Sequence, residues 1–175
     1  MAIHTWFGSD AERNASSMNE HFDGHLFGVG QPCFGCSPDH PTGFRLTFQR
    51  EGDEMVTRFT PGEQYQGPPG IMHGGLVATL ADEVAAWALI GLLGKFGFTA
   101  SFTARLGGAV RVGTPLEARS RIVRDKFRIV EVAVRIAQSG ADTFAGTFKF
   151  VVLDKKGAER LLGGPLPEAW ETYCR

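Results

Sequence analysis

Between Tyr65 and Gly94 the chain reads YQGPPGIMHGGLVATLADEVAAWALIGLLG, and two groups in it have the makings of a reactive site. One is the pair of glycines after His73, and the other is the carboxylate of Asp82. At the start of a helix the first backbone N–H groups have no intrahelical partner and carry the positive end of the helix dipole. Glycine there lets another molecule approach, so Gly74 and Gly75 suit an anion or a developing oxyanion. Asp82 stands among Leu80, Ala81, Ala85 and Ala86, where lost hydration raises a carboxylate pKa and suits it to act as general base or nucleophile. Gly75 and Asp82 share a helix face, but two turns hold them roughly 10 Å apart. One helix therefore cannot bring both to one carbonyl. Two antiparallel copies in a homodimer can, each supplying the amides of one site and the carboxylate of the other.

The elements that must position these groups follow from pattern. Gly67, Pro68, Pro69 and Gly70 exclude regular structure, and the apolar run that follows lasts about five turns. Leu76, Val77, Leu80, Val84, Trp87, Ala88, Leu89, Ile90, Leu92 and Leu93 leave no consistently polar face, which predicts a helix enclosed on most sides. Asp82 and Glu83 are its only charges and leave an uninterrupted stretch too short to cross a bilayer. Alternation predicts strands over 43–50 and 55–60 before the helix, with a hairpin at Glu51-Gly52-Asp53. After it come strands over 98–110, with a bulge at Gly107-Gly108, then 116–124, 127–138 and 143–153, with a reversal at Asp125-Lys126. An antiparallel meander has one apolar face to bury and the helix needs a surface that wraps it. The expected class is α+β, an antiparallel β-sheet wrapped around a long central apolar helix.

HGG, then six residues, then Asp, preceded by YQGPPG and followed by a strand beginning TASFTA, resembles the hotdog-fold acyl-CoA thioesterases of the phenylacetate-pathway and THEM type. The likeness runs from about Cys33 to Leu153. It implies the hotdog fold and hydrolysis of an acyl- or aryl-CoA thioester by a homodimer or homotetramer. It also implies that Asp82, nine positions after His73, is the catalytic carboxylate, and that the Gly74 amide polarises the thioester carbonyl. A hydroxyl early in the next strand assists the carboxylate, which matches Thr99, with Ser101 as the nearby alternative. His73 braces the amide, and Gly75 belongs to the binding loop. The family often carries Asn or Gln six residues before the histidine; here that position is Gly67, and the neighbouring Gln66 is the candidate substitute. No metal or redox cofactor is implied, because a thioester is already an activated acyl donor and coenzyme A belongs to the substrate. If the Gly67 departure removes a needed donor, a non-catalytic acyl-CoA-binding hotdog module is the alternative. A hotdog enoyl-CoA hydratase fits the spacing of HGG and Asp82 less well.

Structural roles compete with each of these. His73 just outside a helix more often bonds to backbone than moves protons, and the two glycines also permit close packing. Asp82 is harder to explain by packing, since a carboxylate in an apolar helix is costly unless paired or used. Glu83, a quarter-turn away, reads as a solvated or interface charge. The aromatic residues Trp87, Phe96, Phe98 and Phe102 suit an acyl pocket or plain core packing equally. Arg119, Arg121, Arg124, Lys126 and Arg128 cluster near one end of two strands, where they either meet coenzyme A phosphates or keep a sheet edge soluble. Arg105 and Arg111 are undecided in the same way.

The 175 residues suit one domain, divided as an N-terminal extension at 1–32, partly helical from a cap at Ser9 or Asp10, a hotdog domain at 33–160 and a tail at 161–175. A net charge of −1 gives no electrostatic footprint for nucleic acid or an anionic membrane. The N-terminus has no basic start followed by an apolar run, so a cytoplasmic location is expected. His21 and His25 are expected to be surface residues. Three cysteines, Cys33, Cys36 and Cys174, argue against a disulfide framework. Cys33-Phe34-Gly35-Cys36 with His40 offers at most three metal ligands and no second pair, so a compact turn rather than a metal site is expected. The stretch CFGCSPDHPTGF resembles the CxGC...NPxGL segment of some relatives.

Overall fold

The structure is a computed structural model that describes residues 20–174, so the cap expected at Ser9 or Asp10 lies outside the described residues. In chain order the elements are β1 (His21–Phe22), β2 (Phe48–Glu51), β3 (Glu54–Phe59), α1 (Gly74–Leu93), β4 (Gly97–Leu106), β5 (Leu116–Lys126), β6 (Ile129–Gln138), β7 (Ala141–Val152), α2 (Lys155–Leu162) and α3 (Glu168–Glu171). The strands form one seven-stranded antiparallel sheet in the order β1-β2-β3-β5-β6-β7-β4, and α1 lies against its inner face. This is the hotdog arrangement.

Period-2 patterning accounts for the inner face. Val130, Val132, Val134 and Ile136 of β6 and Phe144, Phe148, Phe150 and Val152 of β7 are all buried against the helix. On α1, Val77, Leu80, Ala81, Val84, Ala85 and Trp87 through Ile90 are buried. By length and hydropathy this helix would pass as a membrane span; its apolar side chains are instead taken up by the sheet. Trp87 stacks on Phe48 at 4.7 Å. Ser120, buried in β5, donates from its hydroxyl to Val84 O at 2.8 Å and so fastens the helix to the sheet with a satisfied polar group.

Several boundaries differ from expectation for identifiable reasons. Phe44 and Leu46 are buried as the alternation requires, but their N–H groups donate to Phe34 O and Gly35 O, so regular pairing begins only at Phe48. The β5–β6 reversal falls at Phe127, which adopts φ 51°, because Asp125 and Lys126 still pair with Val130 and Ile129. Gly107-Gly108 does not bulge β4 but follows its end, and the bulge lies between Thr99 and Ser101. Asp154 does not merely close β7: its side chain accepts from Gly157 N at 2.7 Å and caps α2. At the far side Phe27 meets Trp170 at 4.9 Å and Tyr173 at 5.7 Å, while Trp170 Nε1 donates to Phe27 O.

Candidate functional site

The turn into α1 is held by backbone bonds on both sides. His73 N donates to Tyr65 O, Met72 N to Val110 O and Gly67 N to Ile71 O, which presents His73 as the N-cap of the helix. Its Nδ1 accepts from Gly75 N at 3.0 Å, which requires the proton to sit on Nε2. Leu76 N and Val77 N both donate to His73 O. Of the first amides of α1, Gly74 N–H alone has no hydrogen-bond partner among the described residues. The Gly75 amide, grouped with the binding residues on sequence, is thus committed to the histidine. Gln66 Oε1 accepts from Gly70 N at 2.9 Å, so this side chain braces the turn. Gly67 lies against His73: a Cβ there would come within 3.4 Å of the His73 Cα.

Two turns further on, Asp82 is half-buried, and Thr99 Oγ1 donates to its Oδ1 at 2.8 Å. Burial pushes the Asp82 carboxyl above the ordinary carboxylate range, the Thr99 hydrogen bond opposes that rise, and the nearby Cys33 adds to it. The β4 bulge decides which hydroxyl serves. Thr99 pairs with the inward Phe150, but Ser101 pairs with the outward Lys149, so directly opposed residues place Ser101 on the outer face. Without the bulge both would have faced the helix. Beyond it Phe102 returns inward and stacks on Phe148 at 4.9 Å, and a Cβ at Gly74 would lie 3.1 Å from Leu106 Cδ2. Strand β4 therefore runs from Asp82 at its Thr99 end to Gly74 at its Leu106 end. It is also the last strand of the sheet, with Phe98, Phe102 and Leu106 each about half exposed.

Other candidates are dispersed. Trp87 and Phe96 serve packing, the first in the main core and the second against Trp170. Arg119 is claimed by three carboxylates, Glu117 at 2.6 Å, Glu51 at 2.8 Å and Glu54 at 3.0 Å. Strand β5, which carries Arg119, Arg121, Arg124 and Lys126, lies inside the sheet and not at an edge, and Arg128 stands in the turn that follows it. A groove of about 400 Å³ lined by Thr103, Arg105, Ala133, Ala145 and Thr147 lies on the outer face of the sheet, away from Asp82.

Glu83 departs most from expectation. It is not solvated: Cys33 Sγ lies 3.2 Å from Glu83 Oε1, and a Cβ added at Gly35 would overlap Glu83 Cγ. Burial and the neighbouring Cys33 push its carboxyl up to about 9, against the opposing Cys36 hydrogen bond. The Cys36 side chain is the main influence that lowers Cys33, to about 5, while Cys36 itself is pushed up. The CxxC motif was visible in sequence; its approach to a residue 50 positions away was not.

Over residues 69–145, spanning the turn, α1 and most of the sheet, the sequence matches the thioesterase superfamily. The chain is 25% identical to a crystallised thioesterase superfamily protein, with a TM-score of 0.65 over 72% of this chain and 64% of that one. Over 69–145, somewhat under half of its length, the chain is therefore similar to the thioesterase superfamily. Acyl-coenzyme A thioesterase THEM4 of Xenopus laevis is 30% identical over 91 residues, 52% of this chain and 40% of that protein. The chain thus spans less than half the length of that curated relative. A hypothetical thioesterase from Streptococcus pneumoniae TIGR4, crystallised with coenzyme A, superposes with a TM-score of 0.57 at 20% identity over 60% of this chain and 86% of its own. Zebra fish thioesterase superfamily member 2 superposes at 0.59 with 18% identity, over 66% of this chain and 89% of its own. These last two likenesses are likenesses of fold.

Proposed function

We propose that this chain is a thioesterase of the superfamily it resembles and hydrolyses an acyl- or aryl-CoA thioester to the free acid and CoA, with Asp82 as the catalytic carboxylate. The observation that carries the reading is the Thr99–Asp82 hydrogen bond at 2.8 Å, which orients a partly desolvated carboxylate beside a strand edge that no other strand among the described residues pairs with. Curated and crystallised relatives that are thioesterases, one of them holding coenzyme A, support the substrate class.

Gly74 and Asp82 are eight residues apart on one helix, about 12 Å along its axis, too far for one thioester carbonyl. The open β4 edge offers the remedy. A long exposed edge strand with half-exposed Phe102 and Leu106 invites pairing. Antiparallel β4–β4 pairing about a two-fold axis would set the Thr99 end of one copy against the Leu106 end of the other. Each Asp82 would then face Gly74 of the partner subunit. Such a homodimer, alone or paired into a tetramer, completes two sites.

In that site the Asp82 carboxylate takes a proton from water as the water oxygen attacks the carbonyl carbon, and the resulting oxyanion accepts from the Gly74 N–H. Collapse breaks the C–S bond, and the proton held on Asp82 passes to the departing sulfur. Direct attack by Asp82 through an acyl-enzyme anhydride uses the same groups. His73 holds the amide turn in place. No metal or redox step enters this chemistry, and coenzyme A is substrate. The test is thiol release from a panel of aryl-, short-, medium- and long-chain acyl-CoAs. Turnover on one class supports the reading; acyl-CoA bound without thiol release would favour a non-catalytic binding module, and water addition to enoyl-CoA a hydratase.

Thr99 offers a narrower check. Its hydroxyl favours the ionised carboxylate, so Thr99→Val raises the Asp82 pKa further, and the acid limb of the kcat/KM profile should move to higher pH. Thr99→Ser should restore the limb. An unmoved limb would mean that Thr99 does not tune the base.

A further inference from the structure

Three ligating side chains meet beside α1. Cys33 Sγ, Cys36 Sγ and a Glu83 carboxylate oxygen all lie within 4.8 Å of one another. Around a tetrahedral zinc ion with Zn–S bonds near 2.3 Å, two thiolate sulfurs lie about 3.8 Å apart, so small side-chain adjustments close this set on a cation. From these positions we infer that Cys33, Cys36 and Glu83 form a binding site for a divalent cation of the zinc class, with a fourth position for water.

Features beyond the three side chains favour a cation. Cys36 N donates to Cys33 Sγ at 3.4 Å, the N–H to sulfur bond that the tight CxxC turn provides and that stabilises a thiolate ligand. Gln31 supports the turn from outside, its Oε1 accepting from Cys33 N at 2.9 Å and its Nε2 lying 3.9 Å from Cys36 Sγ. Outer hydrogen bonds of this kind orient metal ligands. Gly35 lies flush against Glu83, where any side chain would push the turn away from the helix. His40, the third ligand that sequence offered, is turned elsewhere: its Nδ1 accepts from Thr42 N and its ring stands on Phe34 at 5.4 Å. Two thiolates and one carboxylate suit zinc in donor type, and carboxylate is the harder ligand that magnesium or calcium would need in greater number.

Binding requires both thiolates and the Glu83 carboxylate, so the protons that these three groups hold in the free protein are released to solvent. The cation would clip the 31–37 turn to α1 at the residue next to Asp82. It is a positioning device and no ligand of the reacting carbonyl, so its presence is independent of the hydrolytic reading and is measured without substrate.

The full chain is purified with a thiol reductant, stripped with a chelator, and titrated with Zn²⁺ and, as a spectroscopic probe, Co²⁺. One cation per chain is expected, with a thiolate-to-cobalt charge-transfer band and the ligand-field bands of tetrahedral Co²⁺. Cys36→Ser should lose most of the charge-transfer intensity. Glu83→Gln, which keeps the shape of the side chain, should bind Zn²⁺ roughly tenfold or more weakly. His40→Ala and Cys174→Ser should bind as the parent does. Absence of the charge-transfer band at stoichiometric Co²⁺, or full affinity in Glu83→Gln, or loss of binding in His40→Ala or Cys174→Ser, would each overturn the assignment.

Discussion

Asp82→Asn is expected to lower kcat for thioester hydrolysis by about 10²- to 10⁴-fold, the range that a positioned general base contributes. The substitution removes the proton acceptor while keeping an oxygen in place of Oδ1 for the Thr99 hydroxyl to bond. The protein should lose turnover without losing its fold. Stability should in fact move the other way. Burial raises the folded-state pKa of Asp82 above its ordinary 3.8, so at intermediate pH the native chain holds a proton that the unfolded chain has released. The native state is then favoured by low pH, and stability falls as pH rises from 3.8 through the folded pKa. At neutral pH the parent carries this ionisation penalty, whereas the Asp82→Asn protein does not. Thermal melts should therefore place Asp82→Asn at or above the parent at pH 7, with the difference vanishing at pH values below 3.8. A variant that retains parental turnover would remove Asp82 from the chemistry, and one that melts well below the parent would make it a structural residue.

The second large effect concerns which chain supplies which group. Gly74→Pro removes the N–H that lacks a partner among the described residues, at the first position of α1, where proline is tolerated. His73 before it already has φ −59° and ψ 129°, a conformation that a following proline accepts. Gly74→Pro alone and Asp82→Asn alone should both be nearly inactive dimers. Mixing them through a cycle of dissociation and reassociation tests the shared site directly. In each heterodimer one site receives Asp82 from one chain and the Gly74 amide from the other, while the second site receives neither. With random pairing, half the dimers are mixed and each has one intact site, so activity should recover to about a quarter of the parental value. No recovery in verified heterodimers would mean that both groups act within one chain, or that Gly74 is not the oxyanion donor.

Much of this was legible because burial and backbone chemistry leave local marks. The alternation of Val130, Val132, Val134 and Ile136 is that of a strand with one buried face, and all four are buried. HGG before a largely apolar run announced both the start of α1 and its first amides, of which Gly74 N–H has no partner among the described residues. The spacing of seven from Gly75 to Asp82 already separated the two candidate groups along one helix. What remained hidden depended on pairing at a distance. Which hydroxyl meets Asp82 turned on a one-residue bulge between Thr99 and Ser101; a bulge shifts register against β7, and register is a property of two strands. Gly107-Gly108 looked like the bulge because glycine is common in one, yet it only follows the strand end. Arg119 looked available until β3 brought Glu54 and β2 brought Glu51 to it.

Glu83 marks the boundary most clearly. Its sequence neighbours predict only an ionised residue on a helix flank, because helical periodicity reports which way a side chain points and not what stands there. The return of the 31–46 segment across α1, held by Phe44 N to Phe34 O and Leu46 N to Gly35 O, brings Cys33 and Cys36 against it. The sequence by itself determined the strands, the buried helix, the carboxylate set in that helix and the amide turn, since each rests on interactions within a few residues. Only the tertiary structure decided the Thr99 contact, the commitment of Arg119 and the thiol–carboxylate cluster, since those rest on contacts between segments that are remote along the chain.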